Sequence, residues 1–495
     1  MVMLGLRNAA IRTLRCEADA VVSTCLAIPL AVGLLLAPPI HTRGEAREGM
    51  VVRSVTRGDW VLPRREGRVP SKPPLFHWTA AMAARVFGLS DTTIRLPSLI
   101  AAWLILVVTM RMGAEMGGRR VGWLACGALL CMPAFWAAAL EARVDMVFAA
   151  CVCVSIACGH RAVRPGDTGA RVLCYAATAA AVLAKGPAGA ALPTLIFGAR
   201  TLLRPRAATV TPLWSGSLAT LAAAIVLGWY GAAAAMGGRE FVDVQLLREN
   251  LDRALGLRTF AGRRRHAPLK LVGAFIVHLA PWNLAVVASA VQWYRDRRLD
   301  DDGILLHAWW IVVLAAFTIA AGKRSIYLLP LYPAVALLAG RVLASRVPMR
   351  WLPATACAMV LFAVGVGAST VQASWRDARS AAPLLSFAQQ IDDVVTPDAG
   401  LQTSWGLSEN DRLVLAFRLD RALPRADLHV PETEYVVAAL PVGDKLQRHC
   451  AAVVDGPSSR HAALALLRCT ACGSPPSVAR GLTSPVTPIS TLEGG

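Results

Sequence analysis

Apolar positions along the chain gather into long runs with few charges, at 18–39, 96–113, 120–137, 143–160, 171–184, 188–203, 213–236, 270–292, 304–321, 326–343 and 351–374. Most are long enough to cross a hydrocarbon core of roughly 30 Å as helix, which predicts about eleven transmembrane helices. The pair 171–184 and 188–203 is short and reads either as two spans or as one bent hairpin. Two long polar connections, 40–95 and 237–269, interrupt the pattern. Past residue 375 no run is long enough to cross, and the periodicity becomes that of a soluble fold. Residues 385–396 read as a short amphipathic helix, and "EYVVAALP" (434–441) and "AAVVDG" (451–456) read as strands. The expected organisation is therefore a polytopic α-helical membrane domain over 1–374, a small α/β domain over 375–475, and a disordered tail over 476–495 rich in Ser, Thr, Pro and Gly.

Composition agrees with this pattern: 55% of residues are apolar and only 17% charged. The formal charge of +19 suggests nucleic acid at first sight, but no soluble basic domain exists to carry that function. What matters is where the arginines fall. With a cytoplasmic N-terminus, every short inner connection is basic, from Arg7, Arg12 and Arg15 to Arg341, Arg346 and Arg350. An odd number of spans then places the C-terminal domain outside, in a bacterial periplasm, with the protein in the inner membrane. The first apolar run is longer than a signal-peptide core, and no small-residue cleavage site follows it, so it reads as a retained span. Eight of the twelve cysteines fall in predicted spans and act there as small apolar residues. Cys450, Cys469 and Cys472 lie beyond them, where one structural disulfide is favoured over a redox pair or half of a zinc site.

No phosphate-binding glycine loop, dinucleotide fingerprint or metalloprotease helix is present. Candidate chemistry gathers instead at the outer ends of the predicted spans. Loop 40–95 carries Glu45, Arg47, Glu48 and the "SKPP" lysine, Lys72. "EARVD" adds Glu141, Arg143 and Asp145, and "AKGP" adds Lys185. The second long loop adds Arg248, Glu249 and Arg253, and "GKRSIYLLPLYP" adds Lys323, Arg324, Tyr327 and Tyr332. Charged groups at membrane depth are costly and usually face a cavity. Lysines and arginines beside a few carboxylates suit an anionic substrate, with cations on a phosphate and a carboxylate left to handle a proton. Blander roles remain open for each: Lys185, Lys323 and Arg324 could snorkel, Glu45 could pair with Arg47, and Glu141 and Asp145, four apart on one helix face, could form a packing network with Arg143.

The stretch "REGMVVRSVTRGDWVLPRREGRVPSKPPLFHW", followed by "FGLSDTTIRLPSLIAA", resembles the first outer loop of the lipid A aminoarabinose transferases and their relatives in the protein O-mannosyltransferase superfamily. "AKGP", "HAPLKLVGAFIVHLAPW" (266–282) and "KRSIYLLPLYP" resemble later landmarks in the same order, over roughly residues 20 to 345. The resemblance implies a glycosyltransferase whose donor is a polyprenyl-phosphate sugar and whose acceptor is a lipid such as lipid A. Carried over, it makes Glu45 the catalytic carboxylate, with Asp145 in the same cavity. Lys72, Arg253 and Tyr327 become donor phosphate contacts, and Lys185 lines the same cavity. By their place at the outer ends of the spans, Lys185 and Lys323 are added as phosphate-binding candidates, and Arg47, Glu141 and Arg143 as acceptor or cavity residues. Three positions depart from the family's pattern: Gly44 stands where a first acid is usual, Ser71 where a Glu precedes Lys-Pro-Pro, and Asn250 where a His follows Glu249. In relatives the Glu and His at the last two positions can hold a divalent metal; such a metal remains an option here, but the usual ligands are absent and no cofactor is assigned. The partners expected are the lipid-linked donor, a lipid or protein acceptor and membrane lipids, not nucleic acid. Protein O-glycosylation and non-enzymatic flipping of lipid-linked sugars are the alternatives.

Overall fold

The computed structural model describes residues 24–163, 167–203, 213–252, 269–296, 300–425, 434–441, 449–458 and 463–469. It divides into two compact units, one through residue 381 and one from residue 382.

The first unit is helical. A short apolar helix α1 (Thr24–Leu35) precedes the first long connection. That connection is itself largely helical, with α2 (Arg43–Thr56) and α3 (Leu75–Phe87). Thr42 caps α2 by accepting from the Glu45 amide, and Ser90 with Thr93 forms a capping box on the next helix. There follow α4 (Asp91–Gly117), α5 (Arg119–Leu130), α6 (Pro133–Leu140), α7 (Val144–Ala162), α8 (Thr168–Lys185), α9 (Ala188–Leu203) and α10 (Gly216–Phe241). A π-helical segment (Val242–Asp252) leads out of α10. Then come α11 (Lys270–His278), α12 (Asn283–Asp296), α13 (Asp301–Ile319), a 3-10 segment (Ser325–Leu331), α14 (Tyr332–Arg346) and α15 (Leu352–Val394).

Six of the described helical stretches are long and apolar enough to cross a membrane, and up to eight if each bent pair counts as one span. Helices α1, α8 and α9 cover the remaining predicted runs. The two bent pairs are where the sequence pattern predicts continuous spans. Helices α5 and α6 meet at 72°, and α11 and α12 at 100°. Proline explains both: Pro133 and Pro281 offer no amide to the preceding turn and push the residue before them out of helical geometry. A consequence falls at "EARVD". Because α6 ends at Leu140 and α7 starts at Val144, Glu141 and Arg143 are extended and lie outside the helix that carries Asp145. The expected single helical face for Glu141 and Asp145 is therefore not formed.

Small residues let the core helices touch. A Cβ on Gly113 of α4 would stand 2.6 Å from the Gly122 Cα of α5, and one on Gly122 would stand 2.5 Å from the Met110 carbonyl oxygen. Backbone contact of this kind replaces the hydrophobic effect, which gives no drive between helices in lipid.

The second unit holds a four-stranded sheet in the order β1-β2-β4-β3, built from β1 (Leu401–Thr403), β2 (Tyr435–Ala439), β3 (Cys450–Ser458) and β4 (Ala463–Cys469), with α16 (Glu409–Arg418). β1 pairs parallel to β2, and the other pairs are antiparallel. Cys450 and Cys469 face each other in the β3–β4 register and form a disulfide. Cys472 lies outside the described residues. The helix expected at 385–396 is the last part of the 43-residue α15.

The close α4–α5 contact makes a direct prediction. Gly122→Leu forces a side chain into the Met110 backbone, so it should destabilise the protein by about 1–3 kcal/mol, as overpacking does. A lowered thermal midpoint of the detergent-solubilised protein is the measurement; an unchanged midpoint would mean the helices separate at no cost.

Candidate functional site

The "SKPP" lysine is held by backbone. The chain from Arg57 to Pro74 lies over an apolar cluster of Leu62, Val69, Leu183, Trp229, Ala233 and Phe241. Trp78 Nε1 donates to the Trp60 carbonyl (2.7 Å), and Trp229 Nε1 to that of Val61 (2.9 Å). Gln245 of the π-helical segment donates to the carbonyls of Pro70 (2.8 Å) and Lys72 (2.9 Å). Pro73 and Pro74 are buried, and Pro74 starts α3. Lys72 Nζ then lies 3.0 Å from Glu249 Oε2. Phe76 and Trp78, which by position could anchor at lipid headgroups, pack inside the protein: Phe76 is fully buried, and Trp78 meets Trp229 edge to face.

The carboxylates of the constellation differ sharply in what they have left to offer. Glu45, the expected catalytic carboxylate, does not pair with Arg47. It is buried and bound bidentately by Arg95, Nε to Oε1 at 2.7 Å and Nη2 to Oε2 at 2.9 Å. Its Oε1 also accepts from the Ala142 amide at 2.9 Å, and Arg95 Nη1 donates to the Pro38 carbonyl. A carboxylate so engaged is a structural brace. Arg47 turns instead to the Ser71 hydroxyl and to Glu48. Glu48 sits 2.8 Å from Nε2 of the fully buried His77. Burial opposes its charge, but the hydrogen bond and charge of His77, with Arg47, hold the Glu48 carboxyl down at about 2.

Asp145 lies 2.6 Å from Lys185 Nζ and 3.5 Å from Arg143 Nε. Lys185 does not snorkel. Its ammonium is buried over the rings of Tyr327 (4.3 Å) and Phe148 (5.0 Å), so Asp145, Lys185 and Tyr327 form one group. Arg143 reaches past Gly44: a Cβ at Gly44 would stand 2.6 Å from Arg143 Nη1. The place an acidic side chain would take is thus occupied by a guanidinium.

Glu141, Arg143 and Lys323 line a cavity of about 1200 Å³ together with Lys270, His278 and Arg324. The buried Lys323 donates to the Ala320 carbonyl, apart from the Asp145–Lys185–Tyr327 group. A second, smaller cavity is bounded by His41, Glu45, Arg95, Glu141 and Asp377. Burial pushes the Glu141 carboxyl up to about 7 against the pull of Arg143, with Glu45 and Asp145 adding to the rise. Arg253 lies outside the described residues. Sequence reasoning missed the role of Arg95, His77 and Lys270; Arg95 was visible only as the arginine of "IRLP".

A metal does not fit beside Lys72. Ser71 is engaged by Arg47, and the Asn250 side-chain amide donates to the Gln245 carbonyl. Among the described residues, the His, Cys, Asp and Glu side chains close enough to share an ion are His160, Asp301 and Asp302. They lie at the opposite end of α7, where Arg200 already binds Asp301.

Residues 71–230 match the model of the Dolichyl-phosphate-mannose-protein mannosyltransferase family. The undecaprenyl phosphate-alpha-4-amino-4-deoxy-L-arabinose arabinosyl transferase of Pseudomonas aeruginosa is 27% identical over 338 residues, 65% of this chain and 60% of that protein. An enzyme of the same description, from Proteus mirabilis, is 24% identical over 63% of this chain and 56% of its own. The match thus spans less than two thirds of these relatives' length. In fold, the chain is similar to ArnT from Cupriavidus metallidurans, solved bound to undecaprenyl phosphate, with a TM-score of 0.73 and 19% identity over 92% of this chain and 99% of that one. The Archaeoglobus fulgidus oligosaccharyltransferase aligns with a TM-score of 0.54 and 11% identity, over 86% of this chain and 69% of its own. The chain is a polytopic membrane protein with the fold of ArnT, and it is similar in sequence to the aminoarabinose transferases.

The Arg95–Glu45 pair should behave as a brace. Removing one partner of a buried pair costs about 3–5 kcal/mol. Arg95→Met and Glu45→Gln should therefore both lower the thermal midpoint of the purified protein markedly. A Glu45→Gln protein with the wild-type midpoint and no turnover would return Glu45 to the role of catalytic base.

Proposed function

We propose that the protein is a membrane glycosyltransferase that moves a sugar from a polyprenyl-phosphate donor to an anionic lipid acceptor such as lipid A. On this reading it works at the outer face of a bacterial inner membrane, with residues from 382 onward on the periplasmic side. The observation that carries the proposal is the buried Asp145–Lys185–Tyr327 group beside a cationic cavity, within a fold shared with a lipid-phosphate-dependent transferase.

The chemistry follows from the charges. Lys72 and Lys185 are each held by a carboxylate, Glu249 and Asp145. An isolated cation in a low-dielectric site is costly, so these carboxylates keep the lysines in place until a phosphate arrives. As the sugar leaves, negative charge grows on the phosphate oxygen. Fixed cations aimed at that oxygen stabilise the transition state more than the ground state. Arg143, Lys270, Lys323 and Arg324 give the large cavity a positive wall suited to the phosphates of the acceptor.

Vesicles containing the purified protein, given radiolabelled polyprenyl-phosphate sugar and lipid A, should release free polyprenyl phosphate and label the lipid. Label crossing the bilayer without cleavage would mark a flippase instead, and labelled polypeptide a protein O-glycosyltransferase. Lys72→Ala should raise the KM for the donor at least about 10-fold, the loss of a charge-assisted hydrogen bond of roughly 1.5–3 kcal/mol. A donor KM equal to wild type would remove Lys72 from the site.

A further inference from the structure

We propose that Glu141 is the catalytic proton acceptor, taking the proton from the attacking oxygen of the acceptor. The inference rests on the transferase reading and adds to it the group that performs the proton step.

Geometry singles this carboxylate out. Glu45 is filled by Arg95 and the Ala142 amide. Asp145 is bound by Lys185 and Arg143, Glu48 by His77, and Glu249 by Lys72. Glu141 has no hydrogen bond among the described residues, and it alone among these carboxylates borders both cavities, Glu45 bordering only the smaller one. Its extended backbone between α6 and α7, a product of the break after Leu140, turns it toward the space that an acceptor would enter. The charged groups around it are Arg143, Glu45, Asp145 and Arg95 on its own side. Lys323 and Arg324 ahead of the 3-10 segment, with Lys270 and His278 of α11, face it across the large cavity. His41 and Asp377 face it across the small one.

The step balances. The acceptor O–H oxygen attacks the anomeric carbon, the carbon–oxygen bond to the lipid phosphate breaks, and its electron pair leaves on polyprenyl phosphate. The proton passes to the Glu141 carboxylate and from there to water in the cavity. A base works only when ionised, and its best pKa lies near the working pH. Burial raises Glu141 to about 7, so it is protonated, and idle, in acid. The rate constant kcat/KM should therefore fall about tenfold per pH unit below about 7.

The test uses full-length protein in vesicles with radiolabelled polyprenyl-phosphate sugar and lipid A. Glu141→Gln keeps the shape and removes the base. It should cut kcat at least about 100-fold, within the range for lost general-base catalysis, leave the donor KM within about 3-fold, and abolish the acid limb of the pH profile. Glu141→Asp should retain intermediate activity with the limb displaced. A Glu141→Gln protein with kcat within about 3-fold of wild type, or one whose residual activity keeps the same acid limb, overturns the assignment while the transferase reading stands. Failure of the wild type to cleave the donor overturns that reading and this inference together.

Discussion

The candidate site depends on one buried ion pair. Arg95 of α4 grips Glu45 of α2 with two hydrogen bonds, and Glu45 in turn receives the amide of Ala142 in the turn between α6 and α7. Three separate segments are joined through five polar atoms that water scarcely reaches, since Glu45 and Arg95 are 2% and 3% exposed. In such surroundings neither charge is tolerable without the other. The pair therefore fixes where the 141–143 turn stands, and with it Glu141, Arg143 and the start of α7 at Asp145. Its third tie, from Arg95 to the Pro38 carbonyl, holds the chain leading into α2 as well.

Around this brace the charges are arranged economically. Lys72 and Lys185 each have a carboxylate beside them, Glu249 and Asp145. Aromatic faces of Tyr327 and Phe148 further shelter the Lys185 ammonium. Among the described residues, cations without a carboxylate at hydrogen-bond range line the large cavity, where Lys323 is tied to a backbone carbonyl and Arg324 is exposed. The contrast separates positions where charge is stored in pairs from positions where it lines the cavity. Arg143 belongs to both: it touches Asp145, lines the cavity, and fills the space beside Gly44.

Much of the membrane architecture was legible in the chain, because span length and apolar composition are set by bilayer thickness. Every predicted apolar run contains helix in the described residues, and the candidate residues Asp145, Lys185 and Tyr327 do converge. The bends were less visible. A hydropathy window runs through Pro133 and Pro281 without registering the lost backbone hydrogen bond, so 120–137 and 270–292 read as straight spans. Short strands such as β1 escaped for a similar reason: three residues carry too little periodicity to be seen.

The amino-acid sequence by itself determined that this chain crosses a membrane many times, that its charged residues cluster at the ends of spans, and that Gly44, Ser71 and Asn250 replace acids or a histidine usual in the family it resembles. Those properties are local or compositional, and each residue carries them wherever it lies. Only the tertiary structure decided which carboxylate is spent and which is available. Glu45 and Glu141 have the same side chain, yet one faces a guanidinium and a backbone amide while the other faces a cavity. A carboxylate's basicity is set by the groups within a few ångströms of its oxygens, and those groups come from helices far apart in sequence.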